Sequence, residues 1–245
     1  MKTDFKLNGG KLYIFPLSDL HLGHENCNLD FFKEWETIYN QTTGDKLIYV
    51  LGDMIDLGSK HIGGFDQNLS GDEQVNTIID LLTPYKDNIR MFVGGNHDTA
   101  RSKREFNLAL SNVIAKQLDV PTTTNDFFDT FYINDKPFTV YGLHGTTFSK
   151  HKHLAMGAFS RQTQHIDADL KIQAHNHYTG FWHEVKRNEE GLKRVYFNFS
   201  GHFLQYAGSY AHDKNMTPSP EGFTRISVDK NLKCDFREFY NTELI

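Results

Sequence analysis

The sequence predicts an α/β protein built on a parallel β-sheet with crossover helices. Three short apolar runs, at residues 12–17, 47–51 and 89–93, have the length and composition of buried strands. Segments with helical periodicity, at residues 29–39 and 73–82, separate these runs. Because strands and helices alternate, we expect parallel strands that are connected by helices packed on the sheet.

The rest of the chain predicts one further helix and several paired strands. The helix is expected at residues 104–117. A turn at Asn134 and Asp135 would join the first pair of strands, and residues 188–191 would close a later hairpin. The predicted strands are residues 127–133, 137–142, 170–174, 180–186, 192–199, 222–228 and 232–239. The C-terminal half is therefore expected to be richer in antiparallel pairing.

The composition favours one acidic globular domain. A chain of 245 residues with 38% hydrophobic content can bury one substantial core, which predicts a single domain over residues 1–245. The formal net charge of -5 argues against a protein that coats nucleic acid through bulk positive charge, although it leaves room for a local basic groove.

The cysteines and the N-terminus indicate a reducing compartment. Cys27 and Cys234 lie far apart in a chain too large to need disulfides, so free thiols are expected. Residues 1–8 lack the apolar stretch of a signal peptide, and no run approaches the roughly 18 apolar residues of a membrane span. These features predict a soluble cytoplasmic protein without a membrane partner.

Polar side chains follow the predicted strands at the points where the strands end. Asp19 and His21 follow the first strand, Asp53 the second and Asn96 the third, while three histidines follow later strands. Functional side chains of an open α/β sheet collect beyond the carboxyl ends of its strands. If the first strand end is extended, Asp19 and His21 point to one face and can bind one ion.

The donor types and their number predict a metal centre. Carboxylate, amide and imidazole donors without thiolates suit Mn²⁺, Fe or Zn²⁺. Taken singly, Asp19, Asp53 and Asn96 could instead be helix N-caps, and each histidine could be an ordinary structural residue. Together they exceed the needs of one ion, and a carboxylate such as Asp53 can bridge two cations roughly 3.5–4 Å apart. The seven candidates are Asp19, His21, Asp53, Asn96, His144, His175 and His177.

Five short motifs in order resemble those of the calcineurin-like metallophosphoesterases. The motifs are Ser-Asp-Leu-His at 18–21, Gly-Asp-Met-Ile-Asp at 52–56, Gly-Asn-His-Asp at 95–98, His144-Gly145 and His175-Asn176-His177. Residues 22–26 resemble a small bacterial and phage-type subgroup, which implies the cytoplasm of a bacterial or phage-infected cell. The resemblance implies a four-layer αββα fold, with mixed β-sheets packed as a sandwich and flanked by helices. Ala174 departs from the usual glycine, and we expect a modest adjustment of the backbone there.

The resemblance also implies a role for each site residue. It implies two divalent ions, with Mn²⁺ expected and Fe, Zn²⁺ or Ni²⁺ as alternatives, and a metal-bridging hydroxide that attacks phosphorus in line. His97 would protonate or stabilise the leaving oxygen, Asp56 would orient His97, and Asn96 and His24 would contact substrate. The alternative for His97 and Asp56 is a hydrogen-bonding role behind the metal ligands, and for His24 it is a structural or exposed position. The first ion would be held by Asp19, His21 and His177, the second by Asn96, His144 and His175, and both by Asp53.

The motifs favour cleavage of a phosphodiester over other activities. They resemble the diesterase and nuclease branches more than the protein phosphatases, because Asp56 is followed by Leu57-Gly58 and not by Arg-Gly. The substrate would be a nucleotide, a nucleic acid or a small diester. A phosphomonoesterase is the alternative, and a non-catalytic scaffold or a nucleic-acid-binding protein is a further one. The basic clusters at 101–104 and 150–153 are expected to be solvated surface or to receive an anionic substrate.

Overall fold

The structure is a computed structural model that describes residues 3–7, 10–58, 66–146, 149, 151–188, 191–205 and 219–241. The strands are β1 (Asp4–Phe5), β2 (Leu12–Leu17), β3 (Lys46–Val50), β4 (Ile89–Val93), β5 (Thr122–Thr123), β6 (Asp126–Ile133), β7 (Lys136–Leu143), β8 (Leu170–Gln173), β9 (Thr179–Asn188), β10 (Gly191–His202), β11 (Gly222–Val228) and β12 (Cys234–Tyr240). The α-helices are α1 (Leu29–Gln41), α2 (Gly71–Leu82), α3 (Ser102–Phe106), α4 (Leu110–Leu118) and α5 (Lys152–Gln162).

The strands form one long ladder that curls into two layers. Its order is β1-β6-β7-β8-β10-β11-β2-β3-β4-β5, with β9 paired to β10 and β12 paired to β11. Strands β2, β3 and β4 run parallel, as do β7, β8 and β10. Strands β10 and β11 are joined by two residue pairs, and the ladder passes there from one layer to the other. The pairs β6–β7, β9–β10 and β11–β12 are antiparallel, as the sequence predicted.

The innermost core lies between the two layers of strands. Ile14 and Tyr49 from one layer belong to the same buried cluster as Phe131, Val140 and Ile172 from the other. Side chains alternate along a strand, so the neighbouring residues of β2 and β3 point to the opposite face of their layer. These strands are consequently apolar on both faces, which explains their nearly continuous apolar sequence.

Helices cover the outer faces of both layers. Phe15 and Val50 pack in one cluster with Trp35 of α1, Ile78 of α2 and Ile114 of α4. On the opposite side, Phe159 of α5 packs against Phe197 and Phe199 of β10. The fold is therefore a mixed α/β architecture with a curled central sheet and flanking helices, which confirms the predicted fold class.

Local sequence explains where the helices of the first half begin. The side chain of Asn28 accepts a hydrogen bond from the amide of Phe31 and caps α1. Ser70 and Glu73 form a reciprocal capping box at the start of α2. Both caps follow the loops that carry the polar strand-end residues, so they fix where each loop stops.

The prediction of one helix over residues 104–117 was wrong. The chain forms α3 and α4 as separate helices, because Asn107 takes a left-handed conformation with φ 54° that ends α3. The hydroxyl of Ser102 then accepts a hydrogen bond from the amide of Leu110 at 3.2 Å, which fixes the start of α4. Helix α5 was not predicted, because Ala155 and Phe159 are its buried residues and the sequence around them is polar.

The other predicted elements are present with shifts of a few residues at their ends. Asn134 and Asp135 both have positive φ, as a tight hairpin turn requires. The middle of the hairpin turn predicted at 188–191 lies outside the described residues, as do residues 59–65 between β3 and α2. Cys27 and Cys234 are free. Across the ranges given above, no helix is both long and apolar enough to cross a bilayer.

Candidate metal centre

All seven predicted metal-binding residues lie at one edge of the curled sheet. They follow the carboxyl ends of β2, β3, β4, β7 and β8. Backbone hydrogen bonds tie their loops together: the amides of Asp19 and His21 donate to the carbonyls of Gly52 and Asp53, each at 3.0 Å. The loops are thus held in register with each other, and the polar side chains converge.

The loops themselves are not extended, which corrects the geometry expected for Asp19 and His21. Five of the seven residues have left-handed backbone angles, a conformation that costs non-glycine residues about 1–3 kcal/mol each and is typical of functional sites. Alternation along a strand therefore does not explain why Asp19 and His21 face the same way. Ala174 is not among the residues with positive φ, so its Cβ causes no backbone strain there. The φ values are 51° for Asp19, 49° for His21, 50° for Asp53, 69° for His175 and 53° for His177.

A first group of donors consists of Asp19, His21 and His177. The Nε2 atoms of His21 and His177 are 3.2 Å apart, and Nε2 of His177 lies 3.5 Å from Oδ1 of Asp19. The Nδ1 atom of His21 donates to Oδ1 of Asp56 at 2.9 Å, so its Nε2 atom is the one that faces the group. Their ligand atoms are close enough together to share one metal ion.

A second group consists of Asp53, His144 and His175, with Asn96 beside them. Nε2 of His144 lies 3.2 Å from Oδ2 of Asp53 and 2.9 Å from Oδ1 of Asn96. Nδ1 of His175 is 3.2 Å from the same nitrogen. Nδ1 of His144 donates to the carbonyl of Leu51 at 2.7 Å, which leaves Nε2 free to bind a cation.

Asp53 lies between the two groups. Its Oδ2 atom is 3.2 Å from Nε2 of His144 and 3.9 Å from Nε2 of His21. Its Oδ1 atom accepts a hydrogen bond from the amide of His97 at 2.8 Å, which fixes the carboxylate in place. This is the position that a residue shared by two cations would need.

The electrostatics of the site indicate that it is built for positive charge. Burial opposes ionisation of Asp19, but contact with His177 outweighs this and lowers the pKa of Asp19 to about 2. Burial likewise opposes protonation of His144, yet the charge of Asp53 raises the pKa of His144 to about 10. Oδ1 of Asp19 is buried without a hydrogen-bond partner in the described part of the chain. A divalent cation would replace the proton that Asp53 holds on Nε2 of His144, and it would also satisfy the carboxylate oxygen of Asp19.

Two glycines allow the loops to approach this closely. A Cβ atom at Gly95 would lie 2.2 Å from Oδ1 of Asp53, and one at Gly52 would lie 2.5 Å from the amide nitrogen of Gly95. Gly52 also has a φ of 86°, which favours glycine. Asp53 can therefore occupy its position only because neither Gly52 nor Gly95 has a side chain.

Asp56 connects His21, a member of the first donor group, to His97. Its Oδ1 atom is 2.9 Å from Nδ1 of His97 and 2.9 Å from Nδ1 of His21, and its Oδ2 atom accepts from Gln67 at 2.6 Å. His21, Asp56 and His97 are themselves close enough to hold an ion. However, the oxygens of Asp56 already lie within hydrogen-bond distance of His21, His97 and Gln67.

Arg101 belongs to the site and not to a solvated surface. Its side chain is 14% exposed, and Nη1 donates to the carbonyl of Asp56 at 2.7 Å. Nη2 lies 3.1 Å from Nε2 of His97. The sequence placed Arg101 in a basic cluster but gave no reason to separate it from the exposed Lys103 and Arg104.

Two further buried residues at the site were missed by sequence reasoning. Asp98 accepts hydrogen bonds from the amides of Gly95 at 2.6 Å and Met54 at 3.2 Å, so it ties the loops after β3 and β4 together. Burial and the neighbouring Asp53 raise the pKa of Asp98 to about 6. His202 stacks on His177, with ring centroids 5.1 Å apart, and burial lowers its pKa to about 3. Only the folded arrangement of β10 brings His202 here.

The remaining candidates lie at or beyond the edge of the site. His24 is partly buried, and its Nδ1 atom accepts from the amide of Asn26 at 3.1 Å. The capping alternative is wrong for Asp19 and Asp53, because Asn28 and Ser70 cap the helices that follow them. In the basic cluster at 150–153, Lys150 lies outside the described residues, and His151 to His153 are exposed at the start of α5.

The site and its motifs match one protein family. The family model described as calcineurin-like phosphoesterase matches residues 13–217, which include every donor described above. The chain therefore belongs to the calcineurin-like phosphoesterase family. It is accordingly a metal-dependent hydrolase of phosphoric ester bonds. A comparison with curated proteins finds no match.

Solved structures that resemble the chain share little of its sequence. A metallophosphoesterase from Sphaerobacter thermophilus is 17% identical, with a TM-score of 0.48 and coverage of 94% of this chain and 89% of that one. Vacuolar Protein Sorting 29 from Cryptosporidium parvum is 13% identical, with a TM-score of 0.45 and coverage of 94% and 99%. A predicted phosphoesterase from Streptococcus pneumoniae is 15% identical, with a TM-score of 0.44 and coverage of 95% and 99%.

Proposed function

We propose that the chain is a dinuclear phosphodiesterase. The observation that carries this proposal is the position of Asp53, whose Oδ2 atom lies 3.2 Å from His144 and 3.9 Å from His21, within reach of both donor groups. We assign the first cation to Asp19, His21 and His177, the second to Asn96, His144 and His175, and both to Asp53.

The donor set supports Mn²⁺ as the cation, with Fe, Zn²⁺ or Ni²⁺ as alternatives. Carboxylate and amide oxygens combined with imidazole nitrogens suit these ions, and neither donor group contains a thiolate. A bound pair of divalent cations supplies Lewis acidity to the phosphoryl oxygens and provides a nucleophile by lowering the pKa of water.

His97 is the proposed general acid, and its hydrogen bonds define its resting state. A guanidinium carries only donors, so Nε2 of His97 must accept from Arg101, and Nδ1 must carry the proton that is donated to Asp56. Burial opposes protonation of His97, but the charges of Asp53 and Asp56 outweigh it and raise its pKa. Once Nε2 is released by Arg101, His97 can therefore take up a proton and pass it to the leaving oxygen.

Arg101 is the proposed phosphate-binding residue. Its guanidinium is held over the site by the carbonyls of Asp56 and Leu57, at 2.7 and 3.3 Å. An anionic phosphate is a better acceptor than the neutral imidazole of His97, because it carries the opposite charge and can accept two parallel hydrogen bonds from the guanidinium. Arrival of the substrate would therefore draw Arg101 away from His97 and free its Nε2 atom. We keep Asn96 and His24 as proposed substrate contacts.

A cavity lined by Leu57 supports a diester over a monoester. A diester carries an organic group on each side of phosphorus, whereas a monoester carries one. A cavity of about 470 Å³ adjoins Leu57, with Val75, Phe106 and Leu110 among its lining. Leu57, whose carbonyl accepts from Arg101, also lines this cavity, so we propose that the cavity receives an apolar group of the substrate. The similarity of the motifs to diesterases supports the same choice.

We also propose the cytoplasmic location and the single domain that the sequence predicted. Two free cysteines are compatible with a reducing cytoplasm. The match over residues 13–217 is compatible with one domain over residues 1–245. Both statements are proposals.

The experiment loads metal-free protein with Mn²⁺ and compares several phosphoesters under identical conditions. The substrates are an aryl phosphodiester, an aryl phosphomonoester, cyclic nucleotides, and single- and double-stranded DNA. We expect turnover of the diester to exceed that of the monoester. A monoester-only profile would overturn the diester proposal and establish the phosphomonoesterase alternative.

Two variants separate metal binding from proton transfer. His97→Ala should retain two equivalents of Mn²⁺ but lose about 10²- to 10⁴-fold in turnover, the usual contribution of a general acid. Asp53→Asn should weaken both metal binding and turnover, because the bridging charge is removed. Full Mn²⁺ binding by Asp53→Asn would contradict the bridging role.

A further inference from the structure

The cavity beside Leu57 lies among the helices α2, α3 and α4 and borders a residue that contacts Arg101. Leu57 lines the cavity, and its backbone carbonyl accepts a hydrogen bond from Nη1 of Arg101 at 3.3 Å. A Cβ atom at Gly71 would lie 3.2 Å from Cδ1 of Leu57, so the side chain of Leu57 reaches the part of the wall that Gly71 forms. Leu57 therefore connects the proposed phosphate-binding guanidinium with the cavity.

Helix α3 gives the approximate span from Arg101 to the cavity wall. Arg101 immediately precedes α3, and Phe106 is the last residue of this helix and lines the cavity. Five residues at a helical rise of roughly 1.5 Å place the two Cα atoms about 7.5 Å apart along the helix axis. A phosphate bound by Arg101 and a group bound against Phe106 can thus belong to one small molecule.

Phe106 combines exposure with a position on the cavity wall. The residue is 59% exposed, although aromatic side chains contribute to stability mainly through burial. Leu108, two residues further along the chain, is 48% exposed. Exposed apolar side chains that adjoin one another often mark ligand-binding grooves. The ring of Phe106 consequently offers a surface on which a planar ring of the substrate can stack.

Helix α2 supplies the polar part of the cavity. Asp72, Val75 and Asn76 line it, and their spacing of three and four residues puts them on one face of α2. The carboxylate of Asp72 accepts hydrogen bonds, and the carboxamide of Asn76 both donates and accepts them. The negative charge of Asp72 disfavours a second phosphate group here. An uncharged planar ring with polar groups along its edge fits this lining.

We propose that the cavity binds the nucleobase of a nucleotide diester, with Phe106 stacked on its face and Asp72 and Asn76 contacting its polar edge. This inference rests on the proposed diesterase function and names the substrate class for it. A nucleobase matches both parts of the lining, because its faces stack on aromatic rings and its edge carries hydrogen-bond donors and acceptors. The phosphate lies at Arg101 while the base reaches Phe106.

The test compares two diesters that differ in one group, the p-nitrophenyl ester of adenosine 5′-phosphate and methyl p-nitrophenyl phosphate. Both release p-nitrophenol, so one absorbance assay at saturating Mn²⁺ serves for both. We expect kcat/KM of the unaltered enzyme to be about 5- to 20-fold higher for the adenosine ester, since Phe106 stacks on one base and is itself partly exposed. Phe106→Ala should remove this preference by raising KM for the adenosine ester alone, and Phe106→Tyr should keep it.

Phe128→Ala provides the matched control. Phe128 is 55% exposed, lies on β6 and does not line the cavity, so its replacement should change the kinetics of neither ester. Titration calorimetry of the Mn²⁺-loaded protein gives a second readout that needs no turnover. The unaltered protein should bind adenosine 5′-phosphate about 5- to 20-fold more tightly than ribose 5-phosphate, whereas Phe106→Ala should bind the two alike.

The failure of this inference can be told from the failure of the diesterase proposal. Equal kcat/KM of the unaltered enzyme for the two esters, or equal affinity for the two monophosphates, would overturn the inference and leave the diesterase proposal intact. A Phe106→Ala variant that keeps the KM for the adenosine ester, or that impairs both esters equally, would do the same. Hydrolysis of neither ester by the Mn²⁺-loaded protein would overturn both proposals.

Discussion

Replacing Asp56 by asparagine would remove the negative charge that joins His21 to His97 while keeping the shape of the side chain. Asp56 is 4% exposed, and its Oδ1 atom accepts from Nδ1 of His21 at 2.9 Å. Nδ1 of His97 lies 2.9 Å from the same Oδ1 atom and 2.9 Å from the backbone carbonyl of Asp56, so only the first of these contacts is charged. Its Oδ2 atom accepts from Nε2 of Gln67 at 2.6 Å. An asparagine amide would either oppose the amide of Gln67 or turn a donor toward the histidines.

The size of the effect follows from the two histidines that Asp56 orients. Loss of a carboxylate behind a metal ligand costs about 10- to 100-fold in metal affinity, which applies to His21. Loss of the partner that stabilises a protonated general acid costs up to about 10²- to 10⁴-fold in rate, which applies to His97. With saturating Mn²⁺ the first effect disappears, so we expect kcat of Asp56→Asn to fall by about 100-fold or more.

The assay follows hydrolysis of an aryl phosphodiester over a series of Mn²⁺ concentrations. Asp87→Asn provides the control, because Asp87 is exposed in the turn before β4, at the opposite end of that strand from the site. We expect Asp56→Asn to need more Mn²⁺ for half-maximal rate and to remain slow at saturation. A variant whose saturated kcat stays within about threefold of the unaltered enzyme would refute the role of Asp56 in orienting His97.

Two other substitutions test the close packing of the site at Gly95 and the burial of the charged side chain of Lys171, which lies outside the site. Gly95→Ala should abolish tight Mn²⁺ binding, because the new Cβ would lie 2.2 Å from Oδ1 of Asp53. Gly10→Ala is the control, because a Cβ atom there meets nothing within 4 Å. Equal Mn²⁺ binding by the two variants would disprove the packing argument. Burial and the neighbouring Lys186 lower the pKa of Lys171 to about 8, so the folded state loses this proton before the unfolded state does, and stability from this residue rises between about pH 8 and pH 10.5. The free energy of unfolding of Lys171→Met should therefore exceed that of the unaltered protein by about 2 kcal/mol at pH 7, and the difference should be smaller at pH 10. Denaturant titration of both proteins at the two pH values measures the difference. A difference that does not change with pH would contradict the prediction.

The sequence was sufficient for the fold class and for the convergence of the donors. The donors stand at the ends of strands, and the alternation of strands and helices places those ends on one edge, so local pattern determined a long-range arrangement. The seven donors and His97 lie together as that pattern implied, and their roles as ligands and acid remain proposals.

The parts that sequence reasoning missed depend on contacts between distant segments. The left-handed angles of Asp19 and His21 arise because their loop bonds to the loop after β3, which no local pattern reveals. His202 reaches the site only because the end of β10 is tied to Asp19. The break between α3 and α4 likewise depends on the hydroxyl of Ser102, which bonds to the amide of Leu110 across the bend.

Crystals of the protein soaked in Mn²⁺, measured by anomalous diffraction, would test the dinuclear site most directly. We expect two anomalous peaks about 3.5–4 Å apart, with the carboxylate of Asp53 between them. A single peak, or two peaks of which one lies away from Asp53, would contradict the proposed centre.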